Sequence, residues 1–251
     1  MQPVTERPKY SVTLPSEGLP YLGALPGGVV SVHPIRVKEE KILAGLQDNR
    51  WQEGLHLLLK SCLATDFDPN ELTLSDRLFL LFQLRTLSYG PMYDFEITCP
   101  KDGVQFTHSC DLTKLAVKHL PADFKEPFEI LLPSSNQVVG LRLLRPKDEV
   151  DLRKFTDAQR VRKSKTINED SYSYRLSLHI TSVEGVALEP GERMEWVENL
   201  IGMDSQAIQE AVEETDSGLD GTVSVTCPTC SHQINQSIPW TSTFFRPRKR
   251  V

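Results

Sequence analysis

The sequence predicts an α+β fold, arranged as two tandem helix-plus-hairpin halves with paired Cys-Pro turns that resemble zinc knuckles. Three observations predict it. Short strand-like stretches alternate with leucine-striped helices. Turn chemistry (Leu-Pro-Ser, Gly-Gly, Cys-Pro) separates them. Thr98-Cys99-Pro100 near the middle recurs as Thr226-Cys227-Pro228 near the end. The chain has 251 residues, 39% hydrophobic and 25% charged, enough to bury a core without disulfide staples. That composition excludes a disordered chain, a collagen and a coiled coil.

In the first half, Tyr10 to Thr13 reads as a strand that runs into the turn Leu14-Pro15-Ser16, and Val29 to Val32 as a second strand. Val37 to Leu46 carries a helical stripe, with Glu39 and Glu40 early, where the helix dipole favours acids. Trp51 to Leu63 places Leu55, Leu58, Leu59 and Cys62 on one helical face, so Cys62 reads as core. A polar loop with Pro69 precedes a third helix from about Ser75-Asp76 to Tyr89, closed by Gly90-Pro91. Tyr93 to Thr98 and Val104 to His108 form a hairpin around Cys99-Pro100-Lys101-Asp102-Gly103. Leu112 to His119 reads as a short helix ended by Pro121.

The second half repeats the order. Phe128 to Leu132 and Val138 to Leu144 read as strands, and Lys147 to about Lys165 as a long polar helix. Tyr172 to Val183 is ambiguous, and Leu176, Ile180 and Val183 at helical spacing favour a helix. Glu192 to Ile201 and Ser205 to Glu214 are two more helices, separated by Gly202. Val223 to Thr226 and Gln233 to Ile238 close a last hairpin around Cys227-Pro228-Thr229-Cys230. The division is 1–121, 122–240 and a basic tail, 241–251.

Leu-Pro-Ser stands at 14–16 and 132–134, and Pro34 with Glu39-Glu40 matches Pro146 with Asp148-Glu149. These correspondences drift between offsets of 112 and 128 residues, so insertions are needed. Two readings stay open, a duplication and two unrelated halves that share turn chemistry.

The Cys turns carry the metal expectation. Cys-Pro-x-Cys in a tight hairpin aims two sulfurs at one point, and structural zinc takes four such ligands in a tetrahedron. Cys227 and Cys230 complete one knuckle; Cys99 has Asp102 where its second cysteine would stand. Asp102 could supply an oxygen to make a Cys99, Asp102, Cys227, Cys230 site. Alternatively Cys110 completes the set, or the turns pair without metal. Cys110 is awkward, because a strand rising about 3.3 Å per residue carries it some 20 Å from the turn. His108 and His232 flank the turns as outer-shell groups or substitute ligands. A closed site of this kind would be structural, with no open position for water.

No catalytic constellation emerges: no P-loop, GxGxxG after a strand, HExxH or GxSxG. No small-molecule substrate is expected. The net charge of -6 disfavours a global nucleic-acid binder. Phe244-Phe245 followed by Arg246-Pro247-Arg248-Lys249-Arg250 reads either as a solvated tail that aids solubility or as an exposed anchoring arm for a partner surface. No apolar run approaches the roughly 20 residues that span a bilayer, and no secretory h-region is visible. The expectation is a protein of the cytosol or of something assembled there.

Several of these stretches carry a resemblance. They are Leu14-Pro15-Ser16, Pro34 to Glu40, Leu74 to Arg77, Leu84 to Gly90 and Phe95 to Pro100. Together they resemble the baseplate protein family of T-even-type, contractile-tailed bacteriophages, associated with the baseplate hub and its assembly. The resemblance is best over residues 10 to 110. It implies a non-enzymatic protein made in the infected host's cytoplasm, acting by contacts with other baseplate and tail proteins and retained or not in the virion. The family shows a fuller Cys-x-x-Cys at the first turn, from which Asp102 departs. The competing class is a zinc-ribbon module that binds nucleic acid or a transcription machine. The acidic balance counts against it.

Overall fold

β1 (Tyr10–Thr13) and β2 (Val29–Val32) form an antiparallel pair at the start of the chain. The computed structural model describes residues 7–44, 51–161, 167–239 and 244–245. Two helices follow, α1 (Val37–Ala44) and α2 (Trp51–Cys62), and Leu63 then bridges back to Val32. Next comes α3 (Leu74–Tyr89). Thr73 caps it, its hydroxyl accepting the Asp76 N–H at 3.2 Å, and Gly90 ends it. The hairpin of β3 (Met92–Thr98) and β4 (Gln105–Asp111) turns Tyr93, Phe95 and Ile97 inward on alternate positions.

Beyond the short strand β5 (Val117–Lys118), β6 (Phe128–Leu131) and β7 (Val138–Leu141) begin a second set. Then come α4 (Pro146–Val161), α5 (Ile167–Ser177), β8 (Ile180–Val183), β9 (Val186–Ala187) and α6 (Pro190–Glu198). The set finishes with α7 (Gly202–Thr215), β10 (Gly218–Leu219), β11 (Thr222–Thr226) and β12 (Gln233–Ser237). β6-β7-β8-β9 is a four-stranded sheet, and the remaining strands pair in twos, β10 with β5 across the halves.

One hydrogen-bonding scheme occurs twice. Tyr10 pairs with Val32 and Thr13 with Val29; Phe128 pairs with Leu141 and Leu131 with Val138. The Leu14 N–H donates to the Gly28 carbonyl, and the Leu132 N–H to that of Gln137, each at 2.9 Å. The chain returning from α2 pairs Leu63 with Val32, as Ile180 after α5 pairs with Leu141. Thr98 faces Gln105 as Thr226 faces Gln233. From the starts of α3 and α7 to these hairpins the correspondence is a constant 128 residues. The helix starts at Val37 and Pro146 also correspond. The Glu39 carboxylate accepts the Arg36 N–H, and the Asp148 carboxylate that of Arg145. By these hydrogen bonds Pro146 matches Val37, one turn beyond Pro34.

A buried carboxylate ties the strands to the helix in each set. Asp76, third residue of α3, accepts the Ser16 N–H at 3.1 Å together with the Ser16 and Tyr21 hydroxyls. Asp204, third residue of α7, accepts the N–H groups of Ser134 and Ser135 at 2.7 and 3.1 Å. The Leu-Pro-Ser turns are thus docking loops.

Two hydrophobic clusters result. The second is made by Leu132, Val139, Leu141, Leu176, Ile180 and Ile208. The first contains Leu14, Leu58, Leu80 and Leu84, and also Val225, Ile234 and Ile238 from the last hairpin. Phe244 and Phe245 belong to it too, both fully buried. Phe244 meets Phe82 and Tyr93 edge-on at 4.9 and 5.0 Å between centroids. The guanidinium of Arg85, itself buried, lies 5.9 Å from the Phe244 ring and donates to the carbonyls of Gly90 and Met92.

Four expectations are corrected. The Phe244-Phe245 pair is not an exposed anchor: core aromatics of α3 and β3 offer it better burial than a partner pocket would need to. Arg246 to Arg250 lie outside the described residues, as do Leu46 and Lys165, the expected ends of two helices. Leu112 to His119 is not a helix but a single 3-10 turn, Leu112–Lys114, followed by β5, whose partner β10 lies far along the chain. Tyr172 to Val183 is helical only to Ser177, because Ile180 and Val183 are claimed by β7. Gly202 begins α7 instead of separating two helices.

Two consequences are testable. Phe244→Ala is expected to cost about 3–5 kcal/mol of folding stability, read by urea denaturation, where a solvated tail residue would cost nothing. His179, 9% exposed, is held down to about pKa 4 by burial. The unfolded chain therefore takes up that proton first, and stability falls as pH drops from about 6.5 towards 4. The loss reaches about 3 kcal/mol, and His179→Asn should flatten that part of the profile.

Candidate metal centre

The two Cys-Pro turns have the same backbone design. The Cys99 N–H donates to the Val104 carbonyl and the Gly103 N–H returns to that of Cys99; Cys227, His232 and Ser231 repeat both bonds at 2.9 to 3.0 Å. The residue at the tip must be left-handed. Gly103 adopts φ 73° at no steric cost, whereas Ser231 adopts φ 57° despite its Cβ. That tight closure folds each turn's ligand pair towards a single point.

The hairpins β3–β4 and β11–β12 bring these points together across 128 residues. Sγ of Cys99, a carboxylate oxygen of Asp102 and the sulfurs of Cys227 and Cys230 all lie within 4.8 Å of one another. Cys99 Sγ stands 3.6 Å from Cys230 Sγ, and Cys227 Sγ 3.6 Å from an Asp102 oxygen. Four ligands at zinc-sulfur distances of about 2.3 Å on a tetrahedron are separated by about 3.8 Å. The donor set and its spacing fit a closed zinc site.

The electrostatics agree. Asp102 is held down to about pKa 2, chiefly by the Val104 N–H that its carboxylate accepts. Backbone N–H groups of the turn, that of Cys230 first, favour the Cys227 thiolate. The His232 backbone favours the Cys230 thiolate, but desolvation and the acidic neighbours outweigh it and push Cys230 up to about 12. Four acidic groups so close cannot all ionise without a cation between them.

Cys110 is on β4 opposite Tyr93, six residue pairs from the turn, and stays in the core with Cys62. His108 packs edge-on against Phe95 instead of facing the sulfurs. The residues that sequence reasoning overlooked are Asp76 and Asp204, which dock the strands. The only signal for them was an acid in the first turn of each helix.

A family model described as T4 bacteriophage base plate protein matches residues 7–246. The chain belongs to that family. Neither a curated protein nor a solved structure matches it significantly. For a base plate family member, a phage structural role is the functional frame, and the match gives no support to the nucleic-acid-binding zinc ribbon. Among the described residues, no helix is long and apolar enough to cross a membrane.

Protein purified without chelator is expected to contain one zinc per chain by elemental analysis. Cys227→Ser should remove the metal and lower the melting temperature, because metal-binding free energy is folding free energy here. Asp102→Cys should retain zinc and bind it more tightly. A metal-free wild-type protein with an unchanged melting temperature in chelator would refute the site.

Proposed function

We propose that this base plate family protein is a non-enzymatic component of the phage tail baseplate, or of the assembly of its hub, and works by protein contact. The observation that carries this reading is the family match over residues 7–246. Its partners are other baseplate and tail proteins. It is made in the host cytoplasm and acts there during tail construction, whether or not it stays in the particle.

Within that role the chain is an internal duplication whose halves are held together by a structural zinc. The twice-used strand registers, the paired Asp76 and Asp204 docking carboxylates and the constant 128-residue shift of the hairpins support the duplication. Each half contributes one turn to the Cys99, Asp102, Cys227, Cys230 cluster, so zinc there would act as a cross-brace between them. The unit 1–121 and the unit 122–240 are then repeats in sequence that share the first core in space.

Quantitative mass spectrometry of purified tails tests the role. The chain should be present at an integral copy number per baseplate, or, for an assembly factor, its deletion should stop baseplate formation while it is missing from finished tails. Absence from tails together with normal particle yield from the deletion phage would overturn it.

A further inference from the structure

α5, α7, the chain after β7 and the first residues of α3 enclose a half-open cavity of about 360 Å³. Leu144, Leu176 and Val212 give it apolar walls, and His179 lines it. Nδ1 of His179 donates to the Arg142 carbonyl at 3.0 Å, and no described group hydrogen-bonds Nε2. The volume lies in the range of cavities that hold ligands.

The repeated scheme tells what the same place holds in the first half. Counting back from the paired positions Leu63 and Ile180, Leu55 corresponds to Tyr172, Leu58 to Arg175 and Cys62 to His179. From the matching helix starts, Leu81 corresponds to Gln209 and Arg85 to Glu213. Leu55, Leu58, Cys62, Leu81 and Arg85 are all 5% exposed or less: closed core. In the second half three leucines have become Tyr172, Arg175 and Gln209, and the space stays open. The Gln209 amide donates to the Tyr172 hydroxyl, so these two support each other, but the exchange forfeits leucine burial and leaves a void beside Arg175 and His179.

The first half also shows an occupant of the neighbouring ground. There Phe244, from outside the repeat, rests on Phe82 and Arg85 of α3. The corresponding residues of α7 are Glu210 and Glu213, both exposed, and Glu213 lines the cavity. Arg175, exposed and with no ion pair among the described residues, also lines the cavity, and a guanidinium can stack on a ring there. From Glu184 to Asp220 the chain carries eleven acidic residues and one basic residue, Arg193. The exposed side of α7 carries Glu210, Glu213 and Glu214, with Lys118 held on the Glu213 carbonyl, so what docks there meets a net negative rim.

We propose that this cavity receives an aromatic side chain from a partner polypeptide, whose adjoining basic residues pair with Glu210 and Glu213. The ring takes the place that leucines fill in the first half, and an indole or phenol can donate to Nε2 of His179. The partner is another chain, since this protein's own Phe244 and Phe245 are buried in the first core. The inference rests on the reading that the protein works by protein contact, but it can fail separately.

The test uses full-length protein and a fluorescein-labelled synthetic peptide with one tryptophan followed by Arg-Lys-Arg, read by anisotropy. A control peptide carries Glu-Asp-Glu instead. Saturable binding is expected for the basic peptide, at least tenfold weaker for the control. The exposed double variant Glu210→Lys/Glu213→Lys should weaken it at least tenfold, and Val212→Trp, which fills the cavity, should abolish it in protein of unchanged circular dichroism. Failure to bind, equal affinity for both peptides, or indifference to the Glu210→Lys/Glu213→Lys variant would overturn the proposal. The tail mass spectrometry would be untouched by any of these results, so the cavity can be lost while the baseplate role stands.

Discussion

The Asp76 carboxylate is the contact on which the geometry of the first half depends. It is fully buried, and burial raises its pKa, against the pull of the hydrogen bonds from Ser16 and Tyr21. A charge or partial charge in that position is tolerated only while every donor stays in place. The docked loop sets the angle between β1–β2 and α3, and α3 in turn aims the hairpin that carries Cys99. Asp204 repeats the arrangement for β6–β7 and α7, with two backbone N–H groups in place of the hydroxyls. Both acids sit in the first turn of a helix, where the dipole adds a modest stabilisation. Two hairpins launched from equivalently docked helices can then meet at equivalent turns.

The sequence made some of this legible and concealed the rest for identifiable reasons. Local periodicity fixed α2 and α3, because leucines at helical spacing have few other uses. The two Cys-Pro turns were legible because tight hairpins demand particular residues. Long-range choices were hidden. Ile180 and Val183 fit a helical stripe, and only the free edge of β7 turns them into a strand. Leu112 and Leu115 have helical spacing, yet β10, a hundred residues on, draws the chain into β5. Phe244 and Phe245 look solvated beside four basic residues, although the groove between α3 and β3 is shaped for them. In the Cys99, Asp102, Cys227, Cys230 cluster, turn spacing picked out the four residues that lie together, while their proximity depended on a hairpin contact that no local pattern encodes.

The two sets of elements are packed differently. The first keeps leucine against leucine between α2 and α3 and recruits the last hairpin and the terminal phenylalanines to its core. The second has a smaller cluster, polar replacements between α5 and α7, and an acidic surface. Most of the buried apolar packing lies in the first cluster, and the acidic surface lies with the second. Such a division suits a scaffold whose rigid part must survive changes on its contacting face.

The closure of the first core by residues beyond 220 also bears on synthesis. Val225, Ile234, Phe244 and Phe245 leave the ribosome long after Val12 and Leu14, whose core they complete. The first cluster therefore waits, with apolar surface uncovered, until those later residues emerge, whereas residues 128 to 208 can collapse on their own cluster beforehand. Nascent-chain folding runs against the usual order: the middle of the polypeptide settles first and its beginning last.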